Sequence, residues 1–139
     1  MDIENQTPAR LKVEYRKVAD LIPYARNARM HSAEQVARIA SSIKEFGWTN
    51  PILVDGENGV IAGHGRLAAA IKLNMSEVPV IELSGLSGTQ KRAYILADNK
   101  LALDAGWDDE LLKVELEELK LEGVGLDDIG ISSEELDDL

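Results

Sequence analysis

Cysteine is absent from this 139-residue chain. That excludes disulfides, thiolate metal sites and a cysteine nucleophile, and it fits a cytoplasmic location. No apolar run is long enough to span a bilayer, so no membrane partner is expected. The opening residues, Met1-Asp2-Ile3-Glu4-Asn5-Gln6, lack the basic and apolar regions of a secretory leader. The two histidines, His31 and His64, are not at zinc-ligand spacing. No Gly-x-x-x-x-Gly-Lys-Ser/Thr run occurs, which excludes a P-loop. Internal repeats and low-complexity segments are also missing.

Charge is present but uneven. Residues 1–100 hold 13 Lys/Arg against 11 Asp/Glu, whereas residues 101–139 hold 2 against 14, and the net is −10. Nonspecific DNA affinity comes mainly from basic surface, so the whole chain is expected to bind bare DNA poorly. Contact with DNA requires a local basic face or another domain. The length suits one domain with a small appendage.

The chain is organised around Val60-Ile61-Ala62-Gly63-His64-Gly65-Arg66-Leu67-Ala68-Ala69-Ala70. Three short apolar residues suit the end of a buried strand. Gly63 and Gly65 allow positive φ or close backbone approach. Good helix formers succeed them from Leu67. A helix N-terminus presents unpaired N–H groups and partial positive charge, so it attracts anions. Arg66 in the first turn is unfavourable beside that positive end unless an anion sits there, and its forked guanidinium suits phosphate. A bare Gly-x-Gly turn with a solvated arginine is the bland reading; the coincidence of strand, glycines, arginine and helix start favours an anion site. His64 could donate to that anion. Asn27 and Arg29, on a loop ahead of the first long helix, would close the site from the other side. Asp98 and Asn99 are oxygen ligands of the kind Mg²⁺ uses alongside phosphates, although a helix break with a local cap explains them slightly better. No catalytic residue is identified.

Residues 1–10 are expected to be disordered, 11–105 to form the domain, and 106–139 an acidic helical extension. The pattern predicts strands at 11–15, 51–54, 60–62 and 78–82, with Pro79 marking an edge or a strand start. Asp55-Gly56-Glu57-Asn58-Gly59 supplies hairpin chemistry between the second and third strands. Ser32-Ala33-Glu34-Gln35 reads as a capping box opening a helix closed by Gly47. Thr89 is expected to cap a helix from Gln90. Asp109 to about Leu121 is an acidic amphipathic helix with Leu112, Leu116 and Leu119 on its apolar stripe. Gly63 to Ala68 also fits a dinucleotide fingerprint, but the preceding strand pairs as a hairpin and the helix is short, which argues against that fold.

The order of segments resembles the ParB/sulfiredoxin superfamily. The residues that carry it are Asn27-Ala28-Arg29, Phe46-Gly47, Pro51-Ile52-Leu53-Val54, Val60 to Arg66 and Val78-Pro79-Val80-Ile81, over roughly 11–105. Leu96 to Ala102 and Ala105-Gly106-Trp107-Asp108 are similar to the segment C-terminal to the core in ParB-like domains of phage and mobile elements that precede a DNA methyltransferase domain. The resemblance implies an α+β fold, a small mixed sheet with flanking helices, plus the C-terminal acidic extension. It implies a nucleotide or phosphate site at Gly63, His64, Gly65 and Arg66, a nucleoside triphosphate (CTP or ATP) with Mg²⁺ as cofactor, and DNA, a downstream methyltransferase domain and a second copy in a homodimer as partners. Partitioning proteins carry Gly-Glu-Arg-Arg at this turn; here Gly63 and Arg66 keep the outer positions. Sulfiredoxin carries Gly-Cys-His-Arg; His64 replaces its cysteine, so its chemistry is excluded. Asp98-Asn99 resembles the start of the partitioning Glu-Asn-x-x-Arg motif, whose arginine is missing here. The expected function is a nucleotide-binding module in a DNA transaction. The alternative is a Mg²⁺-dependent nuclease or a small-molecule phosphotransferase.

Overall fold

Four short segments form one sheet in the order β1-β4-β2-β3. The computed structural model describes residues 10–25 and 30–139. Asn27 and Arg29, and residues 1–9 of the expected disordered start, lie outside the described residues. β1 (Val13–Lys17) runs antiparallel to β4 (Glu77–Glu82), and β4 runs parallel to β2 (Ile52–Val54). β2 makes an antiparallel hairpin with β3 (Val60–Ala62). The hairpin turn is held by Asp55, whose Oδ1 accepts the N–H of Glu57 and of Gly59, each at 2.8 Å.

Pro79 corrects the expectation of an edge strand, because β4 lies between β1 and β2. Its position is still a start on one side. The β2 ladder begins at Val80, one residue beyond the proline, so the missing N–H has no β2 partner to fail.

One sheet face presents Ile52, Val54, Val78 and Val80, all fully buried, to Leu67 and Ala70 of α2 (His64–Lys72). Leu21, after the 3-10 turn Val18–Asp20, completes this core. Removing such side chains from water is the main stabilising contribution, about 1.5–3 kcal/mol each. α1 (Ala33–Phe46) packs across α2, and α3 (Gly88–Asp104) packs against β3. α4 (Asp109–Leu121) buries Leu116, with Leu112 and Leu119 half-buried. α5 (Leu126–Ile129) lies on α1, and α6 (Ser133–Asp137) is the last helix.

Two cap expectations need correction. Ser32 Oγ does accept the Gln35 N–H at 3.0 Å, but Gln35 does not reach back to Ser32. Its Oε1 meets His31 Nδ1 at 3.1 Å instead. The reciprocal box forms at α3, between Ser87 and Gln90, and Ser87 rather than Thr89 is the cap. Asp98 and Asn99 lie within α3, with no helix break at them. Among the described residues, no helix is long and apolar enough to cross a membrane.

Candidate functional site

β3 ends at Ala62 and the chain turns at Gly63, whose φ of 102° is left-handed. A side chain there would be strained, and its Cβ would meet Ile52 Cγ1 at 3.1 Å. The Gly63 carbonyl accepts the Leu67 N–H at 2.9 Å. Helix geometry therefore leaves the N–H groups of His64, Gly65 and Arg66 without intrahelical partners. Gly65 does not use positive φ. It sits inside α2, and a Cβ on it would lie 2.8 Å from Ile39 Cδ1 and 3.0 Å from His31 Cε1. It is the contact that lets α2 approach α1.

These residues line one side of a cleft of about 630 Å³, within the size range of small-molecule sites. α1 contributes Gln35, Arg38 and Ser42 to the lining. Gly47, Trp48 and Thr49 line it as well. α3 brings Asp98, Asn99 and Ala102, and the α5–α6 segment brings Ile129, Gly130 and Glu135.

Arg66 is half-buried, and burial pulls its pKa below the ordinary arginine value. It remains a cation, as guanidinium always does in proteins. It makes no ion pair among the described residues. Arg38 contrasts with it: Nη2 meets Glu34 Oε1 at 2.7 Å and Nη1 meets Glu135 Oε1 at 3.5 Å. His64 Nε2 accepts the Tyr24 N–H at 3.0 Å. The neutral ring therefore carries its proton on Nδ1. Burial first, and the nearby His31 second, hold the His64 pKa below its ordinary value. At neutral pH it is an uncharged donor.

Asn99 Nδ2 donates to the Ile95 carbonyl at 3.0 Å. That leaves its Oδ1 as the amide atom available to a ligand. Asp98 makes no ion pair among the described residues. No group of three or more His, Cys, Asp or Glu that could hold a metal occurs among the described residues. Two oxygens on one helix suit a cation that takes its other ligands from phosphate and water, which is the habit of Mg²⁺.

The structure thus gathers Gly63, His64, Gly65, Arg66, Asp98 and Asn99 around one cleft. Sequence reasoning missed Arg38 and Glu135. One signal was available for the α1 wall. Gln35, Arg38 and Ser42 stand at i, i+3 and i+7, a polar stripe beside the apolar one.

Fold and cleft together define a small mixed-sheet α+β domain whose pocket opens at a strand–glycine–helix turn. The chain belongs to the ParB N-terminal domain family, whose model matches residues 3–100. It is 58% identical over 83 residues to the ParB-like nuclease domain-containing protein YnaK of Escherichia coli (strain K12), covering 60% of this chain and 95% of that one. It is 36% identical over 74 residues to a probable chromosome 2-partitioning protein ParB of Deinococcus radiodurans, covering 51% of this chain but 25% of that one. Among solved structures, it superimposes on a C-terminally truncated chromosome-partitioning protein ParB from Caulobacter crescentus complexed with CTP-γ-S. The TM-score is 0.73 at 21% identity, covering 90% of this chain and 74% of that one.

Proposed function

We propose that this chain is a ParB-family module that binds a nucleoside triphosphate, CTP or ATP, with Mg²⁺, and acts in a DNA transaction in the cytoplasm. The observation that carries this reading is the half-buried Arg66 without a carboxylate partner among the described residues, set on the N-terminal turn of α2. The N–H groups of that turn and Arg66 would hold phosphate oxygens. His64 would donate from Nδ1. Asp98 and Asn99 would hold Mg²⁺, which supplies neutralising charge to the phosphates. Asn27 and Arg29 are proposed as the second clamp. The Caulobacter relative complexed with CTP-γ-S supports the choice of ligand class, and the partitioning relative supports the DNA setting. A homodimer and an adjoining DNA methyltransferase domain are part of the proposal; the likeness of residues 96–108 to that subgroup supports the latter.

Isothermal titration with CTP and with ATP, each with Mg²⁺, tests it. Binding is expected, and Arg66→Ala should weaken it by about tenfold or more, the loss of a charge-assisted bidentate contact. No binding, or binding indifferent to Arg66→Ala, refutes the reading.

A nuclease reading is favoured by one observation, the nuclease domain in the name of the Escherichia coli relative. Metal-dependent strand cleavage needs a well-held metal and an activated water, and Asp98 is the carboxylate that α3 offers to the cleft. A Mg²⁺-dependent plasmid-nicking assay separates the readings. Nicking that Asp98→Ala abolishes supports nuclease chemistry; equal nicking by both proteins removes it.

A further inference from the structure

We infer that the acidic segment Leu126–Asp137 is a built-in competitor of the pocket, seated there through the Arg38–Glu135 ion pair. This rests on the cleft being an anion site. The segment carries five acidic residues and no Lys or Arg. It is anchored at two points. Asp128 Oδ1 accepts the Ser41 hydroxyl at 2.6 Å, fixing α5 to α1. Leu136 is buried, fixing α6. Ser132 caps α6 by accepting the Glu135 N–H at 3.1 Å, which sets the helical turn that carries Glu135.

The anchors deliver one carboxylate to the cleft wall. Glu135 meets Arg38 at 3.5 Å, and both line the cavity with Arg66. Arg38 already holds Glu34 at 2.7 Å on its own helix. The second carboxylate is therefore not needed to neutralise it. It adds a negative charge where an entering phosphate would go, and it occupies the face of Arg38 that such a phosphate could use. An anion entering the cleft must either displace Glu135 or bind beside it against repulsion. The pair is only partly exposed, with side-chain accessibilities of 30% for Arg38 and 55% for Glu135. Its hold is that of a screened surface pair, weak enough to be displaced. The segment thereby sets a threshold concentration of ligand rather than shutting the site.

The experiment is titration of the full chain with Mg²⁺–CTP and Mg²⁺–ATP. Glu135→Gln should tighten binding by roughly three- to fivefold. Ser41→Ala, which frees the α5 anchor without changing any pocket charge, should move affinity in the same direction. Glu134→Gln removes a charge from the same helix but outside the cleft, and should leave affinity unchanged. Wild-type binding that Glu135→Gln or Ser41→Ala leaves unaltered overturns this inference and leaves the pocket reading standing. An equal gain from Glu134→Gln also overturns it, since net charge alone would then explain the effect. No binding by any variant, Glu135→Gln included, refutes the pocket reading and the inference together.

Discussion

Replacing Gly65 with alanine should destabilise this domain, against the usual sign for a glycine inside a helix. Gly65 lies in α2 with ordinary helical backbone, so conformational freedom alone predicts a gain of up to about 1 kcal/mol. Packing opposes it. The new Cβ would sit 2.8 Å from Ile39 Cδ1, 3.0 Å from His31 Cε1 and 3.1 Å from His31 Nδ1. Comfortable carbon separations are about 3.5–4.0 Å. Ile39 can rotate, but the His31 ring is held by Gln35 at 3.1 Å. Overpacking of this kind costs about 1–3 kcal/mol; from the middle of that range, about 2 kcal/mol, the net loss is about 1–2 kcal/mol. For a chain of this length that lowers Tm by roughly 2–6 °C. Gly88→Ala is the matched control. It lies in the first turn of α3, and a Cβ there meets nothing within 4 Å. It should raise Tm by roughly 1–3 °C. Circular dichroism melts of the two variants decide the matter. If Gly65→Ala melts at or above wild type, the close α1–α2 approach is wrong, and with it the shape of the cleft.

Two further outcomes come from the electrostatics. The depressed pKa of His64 means the folded state binds fewer protons there than the unfolded chain does. Its contribution is therefore complete above the unfolded value near 6.5 and is lost as pH falls through the folded value below it. Tm should drop more between pH 7.5 and 5 in wild type than in His64→Asn, and parallel curves would refute the assignment. Asp55 ties the β2–β3 turn to α3 through Lys91 at 2.7 Å. Burial pushes its carboxyl up, but Lys91 and the N–H groups of Glu57 and Gly59 outweigh that and leave it below the ordinary range. With the pair partly solvated, Asp55→Ala should cost about 2 kcal/mol in urea unfolding, and a loss below about 0.5 kcal/mol would show that the turn holds without it.

The part of the fold legible in the sequence was local. Asp55 to Gly59 between two apolar triplets gives the hairpin, and Gly63 ahead of good helix formers gives the turn, because each depends on neighbouring residues alone. The caps show the limit. Ser32 with Gln35, and Ser87 with Gln90, carry the same spacing. Only the second closes reciprocally: His31 takes the Gln35 side chain, whereas among the described residues Gln90 bonds to Ser87 alone. No local pattern encodes that competition. Pro79 misled for a related reason: whether its absent N–H matters depends on where β2 begins, which is a fact of pairing and not of β4. The cleft was half legible. Gly63 to Arg66 was found as one stretch, and Asp98-Asn99 as another. That α3 folds back to place the second beside the first comes from its packing on β3 and from the Asp55–Lys91 tie, 36 residues apart in sequence.

The charge distribution bears on which anion the cleft would accept. A chain of net charge −10 repels polyanions at long range. At physiological salt that field decays over about 8 Å, so it acts strongly on an extended strand of phosphates lying along the surface. It acts less on a compact ligand inside a cleft. There the short-range terms dominate: Arg66, half desolvated, and the unpaired N–H groups of one helix turn. Arg38 adds little, since Glu34 and Glu135 already share it. Among the described residues, one uncompensated arginine and a helix end do not neutralise a triphosphate, and the proposed second clamp, Arg29, would add a single further charge. The proposed Mg²⁺ is therefore a requirement of the charge balance and not an accessory, and Asp98→Asn should abolish the gain in nucleotide affinity that Mg²⁺ brings. Equal affinity with and without Mg²⁺ in the wild-type chain would refute this charge balance.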